Sequence, residues 1–427
     1  MLTVAYLANQ FPAAVEPYVA EEIQELRQRG VRVIAGSVRK PHSSEAANGL
    51  SSSENLCIEP VRPRILLRAL GLVFLRWKLL PTLLTRVLLQ GTESPKRRAK
   101  ALLHICLGAY YAVQLQAQRV DHIHAHHGYF GSWIAMVAAR LLGVGFSLTL
   151  HGSDLLLNGA YLDTKLKYCC FCVTISEYNR HYILEHFCAI DPGKILVARL
   201  GTDVAVCIEH QRFARSAHPF TLLAVGRLHA VKDHAFLIRA CARLRDCGLD
   251  FECTIGGEGP ERQHLESLIR QHHLYDRVRL LGQVTRRQMD SLYRRADVVV
   301  LTSRSEGIPL VLMEAMARGK IVLAPAITGI PELVIPGKTG LLYAPGELKN
   351  FVATVLFLKK RMQEEGRNAV SRLDWIRHAA RVQVLHNFSR RKNLTRFADQ
   401  FLQLITPEHF AVQDWSSPHE DLILQQI

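Results

Sequence analysis

The 427-residue chain lacks several features that would place it in familiar classes. A membrane span takes about 20 consecutive apolar residues. The most leucine-rich stretch, near residues 63–90, is interrupted by Arg68, Arg76, Lys78 and Pro81. No long low-complexity segment occurs, and 48% of residues are apolar, so two or three cores can be buried. The ten cysteines contain one C-x2-C spacing, Cys169–Cys172, and no second to pair with it, which argues against a zinc site. Cys169, Cys170 and Cys172 sit in an apolar run and read as buried thiols in a reducing compartment. Nor does the chain contain an Asp-x-Asp pair. The net charge of +15 calls for an anionic partner, but no aromatic-rich RNA-binding module accompanies it. That sets nucleic acid aside and leaves phosphorylated substrates and an anionic membrane surface. The N-terminus opens on an apolar strand, Leu2–Leu7, with no basic leader. The expected location is cytoplasmic, with room for peripheral placement on the cytoplasmic face of a membrane.

What is present is a repeated strand–helix alternation, the pattern of parallel sheets. Its most informative stretch is the junction from Arg304 to Ala317. Val298–Leu301 reads as a strand buried on both faces, and Gly319–Ala324 brings in the next one. Between them, Pro309 suits the first turn of a helix, with Leu310, Met313 and Ala317 at helical spacing. Glu306 then lies on a loop at a strand's carboxyl end, where ligands of open parallel sheets bind, and Glu314 lies within the helix. A helix start suits a phosphate. Two carboxylates beside it would repel an anion, so neutral hydroxyls are their better partners. Upstream, Phe220–Val225 is a strand followed by Gly226, Arg227 and Lys232, two cations on the same kind of loop.

These residues resemble the E-x7-E signature and the G-R-x-x-x-x-K-G loop of the retaining nucleotide-sugar glycosyltransferases of family GT4. Asp233 stands where the second motif has its last glycine. The resemblance extends to Thr328–Val334, to Gly337–Leu342 and to Val278–Gln283, whose Gly282 falls beside the nucleotide base in that family. It implies the GT-B fold, an α/β architecture of two Rossmann-like domains facing a central cleft. It also implies that Glu306 contacts the donor sugar, with Gly307, Ile308 and Pro309 on the same loop. Glu314 would contact the ribose, and Arg227 and Lys232 would clamp the diphosphate. In the first half, Phe146–Asp154 carries a His-Gly that resembles the one reaching the donor sugar, which assigns His151 to catalysis beside Glu306. His126, Asp154, Ser176 and Asp203 fall at strand ends and are further candidates for the cleft.

His122, His124 and His126 alternate onto one face of a strand, but no metal is expected there, nor a metal-bridged diphosphate. Two nucleotide-binding fingerprints fail on spacing. Arg262 replaces the third glycine after Gly257 and Gly259, and Glu332 replaces the leading glycine of a P-loop ending at Lys338-Thr339. The expected domains are residues 1–208, 209–385 and a segment 386–427 that returns to the first domain, with the boundary in the unpatterned run Glu209–Pro219.

The resulting expectation is a retaining, metal-independent hexosyltransferase that needs no cofactor. It would use a UDP- or GDP-sugar donor and a saccharide or lipid-linked saccharide acceptor, in cell-surface polysaccharide biosynthesis. A GT-B phosphorylase or sugar epimerase, or a non-catalytic basic membrane-binding protein, are the alternatives. Residues 63–90 read equally as a basic amphipathic helix that dips Leu72, Phe74 and Trp77 into an anionic leaflet or as a helix packed on the sheet.

Overall fold

A computed structural model describes residues 1–13, 16–40, 55–91, 93–157, 159–187, 189–203, 219–365 and 372–406. Two compact units make up the chain. The first comprises Met1–Ile175, Asn179–Ala198 and the segment from Leu394; the second comprises Ser176–Tyr178 and Arg199–Asn393. Most of the predicted boundary run falls outside the described residues. Ser176 and Asp203, expected in the first domain, belong to the second unit. Thr202 bridges to Ser389 there.

The first unit holds seven strands: β1 (Thr3–Gln10), β2 (Arg32–Arg39), β3 (Leu56–Cys57), β4 (His122–His126), β5 (Gly145–Leu150), β6 (Phe171–Thr174) and β7 (Ile195–Val197). They pair in parallel in the order β3-β2-β1-β4-β5-β6-β7. In the second unit β8 (Phe220–Val225), β9 (Phe251–Gly256), β10 (Val278–Gly282), β11 (Val298–Val300), β12 (Ile321–Pro325) and β13 (Leu341–Tyr343) are also parallel. Their order is β10-β9-β8-β11-β12-β13. Each sheet therefore reverses its winding once, between β1 and β4 and between β8 and β11, and such switch points open a crevice at the strands' carboxyl ends. Every residue of β4, β5, β11 and β12 is buried, as helices on both faces require.

The helices bury the stripes that the sequence spacing dictates. Pro17–Gln28 buries Val19, Glu22, Ile23 and Leu26, a continuous apolar face with one carboxylate set into it. Phe130–Leu142 is buried almost all round and stops at Gly143, whose φ of +72° is the left-handed cap that glycine adopts freely. The last described helix, Arg390–Ile405, sends Phe397, Ala398, Phe401 and Ile405 into the first unit's core. There the Phe401 ring lies 6.1 Å from Tyr6 and 5.6 Å from Phe171.

The leucine–arginine stretch is not one helix. It forms Pro63–Leu75, a turn at Trp77–Leu79, and Pro81–Leu88, because Pro81 has no N–H with which to continue a helix. Leu72, which the membrane-facing reading turned outward with Phe74 and Trp77, is buried with Ala69, toward the core, as the packed-helix reading has it. No described helix is long and apolar enough to cross a membrane.

Candidate functional site

In the second unit, the loops after β8 and β11 meet at the switch point. Gly226 donates its N–H to Gly256 O at 2.9 Å, and Leu228 donates to Glu258 O at 2.9 Å, so the loop that carries Arg227 is laced to the turn after β9. Gly257 has φ +150°, and a Cβ there would stand 1.9 Å from Gly226 O; only glycine permits this approach. Gly257 N in turn donates to the carbonyl of Gly282 at 2.8 Å, which brings the end of β10 to the same edge. On the other side Thr302 Oγ1 donates to Lys232 O at 3.0 Å, and Arg304 N to Val231 O at 2.8 Å.

These braces fix the charged groups. Lys232 Nζ lies 2.5 Å from Glu306 Oε1, which also accepts from Ser303 Oγ at 2.6 Å. The Glu306 carbonyl accepts from Thr328 Oγ1 at 2.6 Å. Gly329 packs so closely beneath Gly307 that a Cβ there would meet its carbonyl at 2.6 Å. Ile308 and Pro309 are buried. Pro309 is the cap residue (ψ 121°) and not the first helical one, so Leu310–Ala317 starts with no side chain capping its N–H groups. Arg227 is exposed and has no carboxylate partner among the described residues. Across the helix, Glu314 Oε2 accepts from the Tyr293 hydroxyl at 2.8 Å, and burial together with that carboxylate raises the Tyr293 pKa. One free cation, one cation–carboxylate pair, an uncapped helix start and a second carboxylate thus share one sheet edge.

The departure at Asp233 is resolved by its backbone. With φ +46° it occupies the left-handed region where a glycine is ordinary. Its carboxylate accepts from Phe236 N at 3.2 Å, capping the next helix, and from Arg304 Nε at 2.7 Å.

In the first unit the carboxyl ends of β4 and β5 carry a buried imidazole cluster. His126 Nε2 lies 3.1 Å from Glu22 Oε2, and His126 Nδ1 lies 3.1 Å from His151 Nε2. His151 follows β5 directly, and its Nδ1 is buried without a hydrogen-bond partner. Asp154 is no contact for a ligand: 1% exposed, it accepts from the backbone N–H of Gly128 at 2.9 Å, His151 at 3.1 Å and Gly152 at 2.7 Å. It is a brace for the loop that bears His151. Asn179 Nδ2 adds a bond to the His151 carbonyl at 3.2 Å. His127 lies 3.1 Å from Glu16 and 3.7 Å from Asp154. Burial alone would lower its pKa, but the two carboxylates outweigh burial and lift it to about 10. Burial, with His127 and His126 nearby, holds His151 well below its usual value and therefore neutral. Lys165 closes the loop from below, donating to Gly128 O at 2.6 Å, Tyr129 O at 3.0 Å and Ser132 Oγ at 3.0 Å.

Glu22, His124 and His126 hold ligand atoms within 4.8 Å of one another, the one such grouping among the described residues. They do not suit a metal ion. Both nitrogens of His124 are engaged, by Ser147 at 2.7 Å and Thr149 at 3.0 Å, as are both of His126. An ion would have to break these bonds.

Of the remaining expected residues, Ser176 lies against Gly329 within the second unit, and Asp203 pairs with Arg390 at 3.1 Å on the surface. Neither Asp154 nor Asp203 is brought to a group that a ligand would share. Glu22 and Lys165 went unnoticed in the sequence. The one signal was a glutamate on an otherwise apolar helix face.

Two parallel α/β units of this kind are the components of the GT-B fold. Residues 208–372 match the family model described as glycosyl transferases group 1. Among curated proteins it is 32% identical over 205 residues to a putative colanic acid biosynthesis glycosyltransferase of Salmonella typhimurium, covering 47% of this chain and 48% of that one. The match thus spans about half the length of that relative. An amylovoran biosynthesis glycosyltransferase of Erwinia amylovora is 25% identical, with 84% of this chain and 91% of that one covered. Among solved structures, Anabaena HepE in complex with UDP superposes with a TM-score of 0.66 at 17% identity, over 94% of this chain and all of that one. Sucrose-phosphate synthase of Thermosynechococcus elongatus gives 0.70 at 16% identity, covering 95% of this chain and 99% of that one. At such identities these structures speak for the fold alone.

Proposed function

We propose that the chain is a retaining glycosyltransferase that moves a sugar from a nucleoside diphosphate donor, UDP- or GDP-linked, to a saccharide or lipid-linked saccharide in cell-surface polysaccharide assembly. The observation that carries this reading is the Lys232–Glu306 pair, set beside unpaired Arg227 and the uncapped start of Leu310–Ala317 at the β8–β11 switch point. Arg227, Lys232 and the helix N–H groups take the diphosphate and stabilise it as it leaves. Glu306, with its second oxygen available, accepts from the sugar, and Glu314, oriented by Tyr293, accepts from the ribose. His151 offers an acceptor to a substrate hydroxyl. Because the cations and the helix start supply the positive charge, no metal-bridged diphosphate is part of the mechanism. The colanic acid and amylovoran relatives support the polysaccharide setting.

Peripheral attachment to an anionic membrane belongs to the same reading. Phe74 and Leu75, 79% and 78% exposed, stand with Leu67, Trp77, Leu88 and Leu89 on the outer side of the Pro63–Leu88 helices. Arg64, Arg68, Arg76 and Lys78 are exposed among them. Cosedimentation with phosphatidylglycerol vesicles, reduced by a Phe74→Ser, Trp77→Ser double variant, is the expected result. Equal sedimentation with neutral vesicles would refute the attachment.

The donor reading is tested by thermal stability against UDP-, GDP-, ADP- and CDP-sugars in the presence of EDTA. One base should raise the melting temperature, and Glu314→Ala should abolish the rise. No rise with any of them would overturn it.

A further inference from the structure

The imidazole cluster of the first unit carries more than a residue assignment, because its hydrogen bonds can be followed proton by proton. The Glu22 carboxylate is an acceptor, so the hydrogen in the 3.1 Å contact must sit on His126 Nε2. A neutral His126 then presents a lone pair at Nδ1, and the 3.1 Å contact to His151 requires His151 Nε2 to donate. Neutral His151 has a single N–H, which this contact uses. Its Nδ1 is left as a lone pair, and it is the atom of that ring with no partner. The backbone beneath is held by Asp154 and Asn179, and the Tyr18 ring lies 4.5 Å from the imidazole, so the ring has little freedom to turn.

We infer that Glu22, acting through His126, fixes the tautomer of His151 and so makes Nδ1 an obligate acceptor for a substrate O–H. Glu22 and His126 are positioning residues; His151 is the contact. This rests on the reading of His151 as a substrate contact, but the tautomer itself exists without substrate. A buried acceptor with no partner is costly, and the cost is relieved when a hydroxyl arrives. The same atom repels a group that can only accept. The arrangement thus selects a hydroxyl over an ether or a fluorine at that substrate position.

The full chain labelled with 15N-histidine tests this by long-range proton–nitrogen spectra, with His151 assigned by its loss in His151→Gln. The wild-type protein should show the hydrogen on Nε2 of His151 in the absence of any nucleotide sugar. Glu22→Leu should give a mixture of tautomers. Glu22→Gln, whose carbonyl oxygen still accepts from His126, should restore the single form. Hydrogen on Nδ1 in the wild-type protein, as a cationic His126 would impose, overturns the inference and needs no variant to be seen. So does an unchanged tautomer in Glu22→Leu. Substrate binding is read separately: Glu22→Leu and His151→Gln should each weaken it by about 3–10-fold, the range of one hydrogen bond. The stated tautomer with unchanged binding in His151→Gln would overturn the substrate-contact reading while leaving the tautomer assigned.

Discussion

Glu306→Gln is expected to have effects of opposite sign on two ligands. In the structure the Glu306 carboxylate holds Lys232 at 2.5 Å, and the two side chains are only 11% and 21% exposed. The pair is therefore little screened, and a hydrogen bond between charged groups of this kind is worth about 1.5–3 kcal/mol. Removing the charge weakens that hold and leaves Lys232 with an uncompensated positive charge beside Arg227. It also removes a negative charge from the neighbourhood of the phosphates. Two unit charges about 7 Å apart in an effective dielectric of about 20–40 repel by roughly 1–2 kcal/mol. A nucleoside diphosphate without its sugar should therefore bind Glu306→Gln about 5–30-fold more tightly than wild type. Sugar transfer should collapse, because the acceptor for the sugar is lost. Isothermal titration with UDP or GDP, beside a coupled assay of nucleotide release, measures both. An unchanged or weaker diphosphate affinity would refute the view that Glu306 restrains Lys232 at the phosphate site.

Further predictions follow from the same geometry. Tyr293→Phe removes the 2.8 Å bond to Glu314 and should weaken nucleotide-sugar binding by about 5–30-fold, measured by titration, since Glu314 is only partly buried and recovers part of the loss from water. Asp233→Gly relieves a left-handed residue by about 1 kcal/mol and loses a cap worth a few tenths, along with an exposed ion pair to Arg304. Urea unfolding should find it within about 1 kcal/mol of wild type, and Asp233→Val clearly less stable. His127 has its folded pKa raised to about 10, so its contribution is complete below about pH 6.5 and is lost as pH rises toward 10. The stability advantage of wild type over His127→Gln should accordingly shrink by up to a few kcal/mol across that interval, read as a difference in melting temperature. A constant difference would show that His127 is neutral in the folded protein.

The strand–helix alternation and the candidate donor-side loops were legible in the sequence because the information there is local. Glu306, Pro309 and Glu314 lie within one junction, and Gly226, Arg227 and Lys232 within another. The imidazole cluster was only half legible. His126 and His151 could be placed at strand ends, but Glu22 is 104 residues from His126 and comes from a helix whose periodicity marks the position as apolar. Asp154 was misjudged for a related reason. Its three backbone partners exist only once the loops after β4 and β5 are folded, and a carboxylate beside a His-Gly reads from sequence as a ligand contact. In the leucine–arginine stretch, apolar residues lie on both faces of Pro63–Leu75, so spacing could not tell that Leu72 turns inward while Phe74 turns outward.

The helix Arg390–Ile405 has a consequence for the order of synthesis. Phe397 and Phe401 fill the space beside Tyr6 and Phe171 on the first sheet, yet the ribosome delivers them some 390 residues after that sheet begins. The nascent first unit must wait, with an apolar face open, until the intervening Arg199–Asn393 has been made. A chain truncated before Leu394 would carry every candidate donor-site residue and still leave that face uncovered. Loss of a distant C-terminal segment would then register in the cell as aggregation of the N-terminal half.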